Sequence, residues 1–169
     1  MNTMYKIREI QQTNEKAIMA FNQADYQGAV ECYNKALQLC NSLPENTAFD
    51  KAKFEAIVHS GLSAAFGRQK KHMESFAAAN KALAFFEQKN NEELNYIDIG
   101  KYLVAQVNQG TAFAALGCLS ASLEALHKAK EIFSNSKLDP VLNKQWLELV
   151  DGNILAVKTQ IEKRRELQE

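Results

Sequence analysis

Proline, glycine and long apolar runs are all scarce in this chain of 169 residues. It contains only 2 prolines and 7 glycines, so we expect loops to be few and short. No uninterrupted run of about 18 apolar residues occurs, which excludes a membrane-spanning helix. The first residues reach the charged Lys6 without the apolar stretch of a secretory signal peptide. These absences predict a cytoplasmic protein that does not insert into membranes.

The chain has 20 basic and 20 acidic residues, so its formal net charge at pH 7 is zero. Binding to a phosphate backbone needs a clustered cationic excess, so we expect no nucleic-acid partner. Cysteine is also rare, and Cys32, Cys40 and Cys118 form an odd set without a Cys-x-x-Cys pair. Within one helix, Cys32 and Cys40 would be separated by a rise of about 12 Å, too far for a disulfide. Free thiols in a reducing compartment are therefore expected.

Residue sets that carry catalysis are missing as well. His59, His72 and His127 are scattered along the chain, and no zinc-protease, nucleophile-elbow or phosphate-loop motif occurs. Apolar residues make up 46% of the chain and charged residues 24%, which is typical of a folded protein. We therefore predict a folded binding protein that is not an enzyme and holds no metal or cofactor.

A repeat of 46–47 residues runs through the chain. Its landmarks are two small residues seven positions apart in each unit: Ala29 and Ala36, Ser75 and Ala82, Ser122 and Ala129. The last residue of each pair follows a lysine, and successive units are separated by 46 and then 47 residues. Such a period indicates an array of similar structural units.

Apolar residues recur every three or four positions within each unit, which predicts two helices per unit. The predicted elements are three helical hairpins and a last helix, over about 3–43, 47–90, 92–134 and 139–168. Asp139 and Pro140 are typical of a helix start, and Ser134-Asn135-Ser136 is predicted to be the loop before it. No segment alternates with a period of two, so no strand is expected. The chain is predicted to be a single all-α domain over 1–169.

Finer boundaries can also be read from the residue types. Thr47-Ala48-Phe49-Asp50 resembles a capping box, with Thr47 at the start of the third helix. The fifth helix is predicted to begin near Glu92, where acidic side chains favour a helix N-terminus. The last helix must cover the apolar face of the third hairpin, so Trp146 is expected to lie in the core.

The small residues resemble the pattern of the tetratricopeptide repeat (TPR). That family places a small residue midway along the first helix, an aromatic three residues later, and small residues in the second helix. The mid-helix positions here are Ala17, Ser63 and Gly110, followed three residues later by Ala20, Phe66 and Phe113. The family's early Trp is absent, and its period of about 34 residues is shorter. The resemblance implies a long-repeat variant, a right-handed helical-hairpin solenoid with a C-terminal capping helix; another helical-hairpin solenoid is the alternative.

In the TPR family the first helix of each hairpin lines a concave groove, and the resemblance implies the same arrangement here. The implied groove positions are Gln11, Asn14, Ile18, Phe21 and Asn22 in the first unit, Ile57, Ser60, Ala64 and Arg68 in the second, and Val104, Val107, Asn108 and Thr111 in the third. They are small and apolar in the middle, with amides and hydroxyls around them. Arg68 is the only cation in the set, and Gly61 and Gly67 leave room for a ligand.

The resemblance and the groove composition together predict an adaptor or scaffold that binds a peptide or helical segment of a protein partner. TPR proteins that hold the acidic C-terminal tails of heat-shock chaperones use a clamp of Lys, Arg and Asn. The matching positions here carry Asn14, Ile18, Gly61 and Asn108, without the cations. We therefore expect that this chain is not an acidic chaperone-tail clamp.

The sequence also allows a second function, in assembly rather than in peptide binding. The aromatic residues Phe85, Phe86 and Phe133 suggest a self-associating or complex-assembly module that uses its outer face or its terminal helix. The chain is expected to be a monomer or a weak homodimer.

Overall fold

The computed structural model of the protein describes residues 2–134 and 139–169. Its helices are α1 (Thr3–Asn22), α2 (Tyr26–Asn41), α3 (Lys51–Arg68), α4 (His72–Phe86), α5 (Tyr96–Ala115), α6 (Leu119–Ser134) and α7 (Pro140–Glu166). A single 3-10 turn, Asn91–Glu93, precedes α5. Within the described residues there is no strand, and the all-α prediction is confirmed.

Consecutive helices pair as the hairpins α1/α2, α3/α4 and α5/α6. The hairpins stack because α2 packs against α3, α4 packs against α5, and the first helices α3 and α5 also touch. α7 packs against α6 and reaches the edge of α5. This is the predicted TPR-like solenoid of helical hairpins with a capping helix, since each apolar face is covered by the next unit along the chain.

The turn inside each hairpin has the same backbone conformation. One residue adopts a left-handed conformation in each turn: Ala24, Lys70 and Gly117, with φ of 60°, 58° and 85°. The next amide donates to the carbonyl five residues earlier: Asp25 to Ala20 and Lys71 to Phe66 at 2.9 Å, and Cys118 to Phe113 at 2.8 Å. These are the features of a Schellman helix end. The turns recur at the spacing of 46 and 47 residues that the sequence repeat has.

Each hairpin has one small residue at the equivalent position of each helix. The pairs are Ala17 and Ala29, Ser63 and Ser75, and Gly110 and Ser122, and all six residues are buried. In the second hairpin the Ser75 hydroxyl donates to the Ser63 carbonyl at 2.8 Å. In the third, the Ser122 hydroxyl donates to the Gly110 carbonyl at 2.7 Å. The small residues that carry the family resemblance therefore form the crossings of the hairpins.

Apolar side chains form two core clusters, one on each side of α3. The cluster between α1, α2 and α3 includes Phe54, Val58 and Leu62 of α3. The cluster between α4, α5, α6 and α7 includes Ala56 of α3 and Phe86 of α4. Because α3 contributes to both clusters, it is apolar on nearly all sides, as expected of a central helix.

Two predicted helix starts differ from the structure. The Thr47 capping box is wrong: α3 begins after Asp50, whose side chain accepts a hydrogen bond from the Lys53 amide at 3.1 Å. α5 begins after Asn95 rather than near Glu92, because Asn95 and Asp98 form a reciprocal capping box there. Glu92 lies in the preceding 3-10 turn.

The aromatic residues near the C-terminal hairpin lie deeper in the protein than one of the predictions requires. Phe86 and Phe133 are buried, so they offer no aromatic surface for self-association, and this expectation is wrong for both. Trp146 is half-buried and lies 6.5 Å from Phe133 between ring centroids, at the edge of the core. Ser134 ends α6, and the other two residues of the predicted loop at 134–136 lie outside the described residues.

We expect Lys70→Gly to raise the free energy of unfolding by about 0.5–1 kcal/mol. The left-handed backbone at Lys70 is strained for a residue with a Cβ, and glycine removes that strain at a smaller entropic cost. Lys70→Ala is the control, because it removes the same charge and keeps the Cβ. Urea denaturation measures both, and equal stability of the two variants would contradict the prediction.

Candidate functional site

A cleft of about 450 Å³ opens between α3, α5 and α7 on the side of the solenoid formed by the first helices. It is lined by Phe21, Ala64, Gly67, Arg68, His72, Ser75, Val104, Val107, Asn108, Thr111, Ala112, Trp146 and Leu149. Most of its exposed lining is apolar, and polar side chains lie around it. A concave, mainly apolar surface with a few polar groups is typical of ligand-binding sites.

A second, smaller pocket of about 180 Å³ adjoins this cleft. We call it the inner pocket, and it is lined by Ile18, Phe21, Asn22, Tyr33, Gly61, Ala64, Lys101 and Val104. The cleft and the inner pocket share Phe21, Ala64 and Val104. They are therefore neighbouring parts of one groove that runs from α1 across α3 and α5 to α7.

Nine of the thirteen residues that the sequence placed in the groove line one or both cavities. They are Ile18, Phe21, Asn22, Ala64, Arg68, Val104, Val107, Asn108 and Thr111. All three hairpins contribute, since these residues come from α1, α3 and α5. The helical spacing of the repeat is what brings them to one side of the molecule.

The other four residues line neither cavity. Gln11 is exposed on α1, and Ile57 packs against the core cluster of the third hairpin. Asn14 is half-buried, and its Oδ1 atom is buried without a hydrogen-bond partner. Ser60 is fully buried and donates its hydroxyl to the Lys101 carbonyl at 2.6 Å, which places it in the contact between α3 and α5.

Two parts of the groove were missed by the sequence reasoning. α7 contributes Trp146 and Leu149 to the cleft, and their spacing of three residues on one helix face was the available signal. Lys101 lines the inner pocket, three residues before Val104 on the same face of α5. Arg68 is therefore not the only cation of the groove, because Lys101 also lines it.

Glycines shape the floor of the groove at two positions. A Cβ added to Gly61 would come within 2.5 Å of the Tyr33 hydroxyl, so the phenol ring of Tyr33 occupies the space above this glycine. A Cβ added to Gly67 would lie 3.2 Å from Asn108 Oδ1, at the wall of the cleft. Gly61 therefore makes room for Tyr33 itself, whereas Gly67 keeps α3 close to the Asn108 amide.

The ionisable groups along the groove are basic, apart from the neutral phenol of Tyr33. Lys101, Arg68 and His72 line the two cavities, and neither lining includes an Asp or a Glu. Burial lowers the pKa of the Lys101 ammonium, because partial removal from water disfavours its charged form. Burial also raises the pKa of the Tyr33 phenol to about 12. The groove therefore presents positive charge and neutral hydrogen-bonding groups.

Metal-ligating and reactive groups do not converge on the groove. Over residues 2–134 and 139–169, no three His, Cys, Asp or Glu side chains are close enough to hold a metal ion. His59 lies in a separate shallow pocket beside Lys81, and burial lowers its pKa. None of the helices in this part of the chain is long and apolar enough to cross a membrane.

We expect Lys101→Met to raise the free energy of unfolding at pH 7 by about 1 kcal/mol, because it replaces a partly buried cation with an apolar side chain of similar length. The folded state lowers the pKa of Lys101, so between that value and about 10.4 the unfolded chain binds more protons. Wild-type stability should therefore rise with pH in this window, and the advantage of the variant should shrink.

Urea denaturation at pH 7 and at about pH 9.5 measures both effects, and Lys35→Met, which removes an exposed lysine of α2, is the control. A Lys101→Met variant that is less stable than Lys35→Met at pH 7 would contradict the prediction.

Comparisons with known proteins agree with this fold. The family model described as a domain of unknown function, DUF3856, matches residues 7–146. No curated protein sequence matches the chain. Among solved structures, a TPR-like protein from Chlorobium tepidum is similar over 94% of this chain and 99% of its own, with a TM-score of 0.83 and 22% identity.

Two further structures are TPR domains. The TPR2B domain of yeast Sti1, in a complex with pHsp70, has a TM-score of 0.65 and 18% identity over 90% of this chain and 98% of that domain. The Sgt2 TPR domain from Aspergillus fumigatus has a TM-score of 0.65 and 17% identity over 95% of this chain and 84% of that domain. At such identities the likeness establishes the fold alone. The chain therefore belongs to the DUF3856 family and has a TPR-type fold.

Proposed function

We propose that this protein is an adaptor or scaffold that binds a peptide or a short helical segment of a partner in the groove between α1, α3, α5 and α7. The observation that carries the proposal is the pair Trp146 and Leu149, which line the cleft together with Val104 and Val107. Leu149 remains 49% exposed, so a large apolar side chain stands at an open cleft. Such accessible apolar surface within a concavity is typical of a protein-interaction site.

The size and polarity of the groove fit a peptide ligand. One apolar side chain of a ligand would be enclosed by the cleft, and burying it would contribute about 1.5–3 kcal/mol. Asn22, Asn108 and Thr111 lie around the apolar lining. The Asn22 amide offers both a donor and an acceptor to the backbone of a ligand. Asn108 already donates from Nδ2 to the Val104 carbonyl at 2.8 Å, and the Thr111 hydroxyl donates to the Asn108 carbonyl at 3.2 Å, so the side-chain oxygens of these two residues remain as acceptors. An apolar anchor with backbone hydrogen bonds on either side is the binding mode that we propose.

The proposal does not extend to acidic chaperone tails, although the Sti1 domain is seen in a complex with pHsp70. The clamp positions of the family correspond here to residues without charge. Asn14 is half-buried, Ile18 is apolar, and the space above Gly61 is filled by the Tyr33 ring. We therefore propose that the partner is held by a different arrangement of groups.

The cysteines support an intracellular setting for this interaction. Cys32, Cys40 and Cys118 are all free thiols, and Cys118 is exposed. Exposed free thiols persist in reducing compartments. We therefore propose the cytoplasm as the place of action. The even charge balance supports a protein partner rather than a nucleic acid.

We expect Leu149→Glu to weaken peptide binding at least tenfold, because it places a charge in the apolar cleft. The ligand is first selected from a displayed random library of 12-residue peptides, and its affinity is then measured by fluorescence anisotropy. Leu155→Glu is the matched control, since Leu155 is 66% exposed on the same helix and lines neither cavity. We expect its affinity to stay within twofold of wild type.

Circular dichroism should show equal helicity for both variants and the wild type. If Leu149→Glu bound the selected peptide as tightly as Leu155→Glu, the peptide would lie outside the cleft and the proposed function would be wrong.

The alternative, a self-associating module, is supported by a different surface of α7. Val141 and Leu155 are each 66% exposed and line neither cavity. If α7 pairs with a second copy, the mass measured by light scattering rises with concentration in the wild type, and Leu155→Glu keeps it at that of a monomer. A constant monomeric mass in the wild type would exclude this alternative.

A further inference from the structure

The positive charge of Lys101 is not paired with any group in the described part of the protein. Lys101 lines the inner pocket with Tyr33, Asn22 and Gly61, at the junction of α1, α2, α3 and α5. Within the described residues its ammonium forms no hydrogen bond or ion pair, and only its backbone carbonyl is engaged, by Ser60. A partly buried cation without a partner is unfavourable, so an external anion would relieve it.

The nearest acid in the sequence is not available to Lys101. Asp98 lies one helical turn earlier on α5, but its side chain is only 1% exposed. Its Oδ2 atom pairs with the Lys53 ammonium at 2.8 Å and accepts a hydrogen bond from the Asn95 amide at 3.0 Å. The fold therefore supplies an acid to Lys53 of α3 and leaves Lys101 of α5 without one.

The surroundings of Lys101 suit one carboxylate. The Tyr33 hydroxyl is a neutral donor above Gly61, and the Asn22 amide lines the same pocket. No acidic side chain lines either cavity, so nothing repels an incoming anion. The volume of about 180 Å³ is enough for a carboxylate with its methylene groups.

The position of the inner pocket links it to the apolar cleft. Phe21, Ala64 and Val104 line both cavities, so a ligand that places an apolar side chain in the cleft passes directly beside Lys101. A short peptide with an apolar residue and a nearby carboxylate can therefore occupy both cavities at once. Charge complementarity selects this occupant over a neutral or basic peptide.

We propose that the inner pocket is a carboxylate subsite in which Lys101 binds one acidic group of a peptide whose apolar side chain occupies the adjoining cleft. The inference rests on the proposed function, because it assumes that the groove binds a peptide. The acidic group is either an Asp or Glu side chain or the terminal carboxylate. Lys101 lies outside the positions that correspond to the chaperone-tail clamp, so one lysine carries the recognition.

The test uses the full chain and a synthetic library of 12-residue peptides. Each peptide carries one central Leu, and every other position is a mixture of Ala, Gln and Glu. The library is made with a free and with an amidated C-terminus, so that the two sources of the carboxylate are distinguished. Peptides retained by immobilised wild type, Lys101→Met and the control Lys35→Met are sequenced by mass spectrometry.

We expect the wild type and Lys35→Met to prefer Glu over Gln about tenfold at a fixed distance from the Leu. If the terminal carboxylate is the ligand instead, the free-acid library is preferred over the amidated library by a similar factor. In either case Lys101→Met loses the preference and still retains peptides through the central Leu. We expect Lys101→Met to be more stable than the wild type, because it removes a partly buried charge. A lost preference for the carboxylate would therefore not come from unfolding.

Two results would overturn the inference and they differ in what they say of the proposed function. If the wild type retains peptides without preferring a carboxylate, or if Lys101→Met keeps the preference, the carboxylate subsite is wrong and peptide binding in the groove stands. If the wild type retains no peptide from these libraries and selects none from the displayed random library either, the proposed function fails and the subsite fails with it.

Discussion

The close approach of paired helices at small residues is the contact on which the rest of the structure depends. Each hairpin has a residue no larger than serine at the equivalent position of both helices, and all six residues are buried. In two hairpins a serine hydroxyl also bonds to the facing backbone, between Ser75 and Ser63 and between Ser122 and Gly110. A longer side chain would separate the helices and change the angle at which the next hairpin stacks, because packed interiors do not absorb added volume. The shape of the groove therefore depends on the angles at which the three hairpins stack.

The central helix α3 shows how the same constraint produces both a core and a site. It is covered by α1 and α2 on one side and by α4 and α5 on the other, so its apolar residues point in nearly every direction. On the concave side, Gly61, Ala64 and Gly67 of α3 line the two cavities, and Arg68 follows at the end of the helix. Large side chains at the three small positions would fill the groove from inside. The cleft therefore exists because α3 has large apolar side chains toward its neighbours and small residues toward the groove before Arg68.

The fold could be predicted from the sequence because the same period of 46 and 47 residues occurs in the residue types, in the backbone turns and in the pairs of small residues between helices. The left-handed turn residues recur with the same spacing as the small residues, so local and tertiary signals agree. The site was predicted only in part. The family pattern places the groove positions relative to the mid-helix small residue, which is Gly110 in the third unit, and Val104 is the first groove position there. Lys101 lies three residues before Val104 and therefore outside the pattern. Trp146 and Leu149 belong to α7, which has no repeat landmarks. Their spacing of three residues placed them on one face of that helix, and the packing of α7 against α6 and α5 turns this face toward the groove.

The lysines Lys53 and Lys101 lie at one contact between α3 and α5, and only Lys101 belongs to the carboxylate subsite that we propose. Lys53 is satisfied by Asp98, so its charge ties the two helices together and is not available to a ligand. Lys101 is held by the same helix, and Ser60 fixes its backbone through the carbonyl, but its charge has no internal partner. An unpaired charge on a backbone held by a hydrogen bond favours the proposed subsite, because binding an anion there needs little reordering. The cleft has the same character, since Leu149 is exposed and Trp146 is only half-buried at its wall, so a ligand meets apolar surface that is already in place.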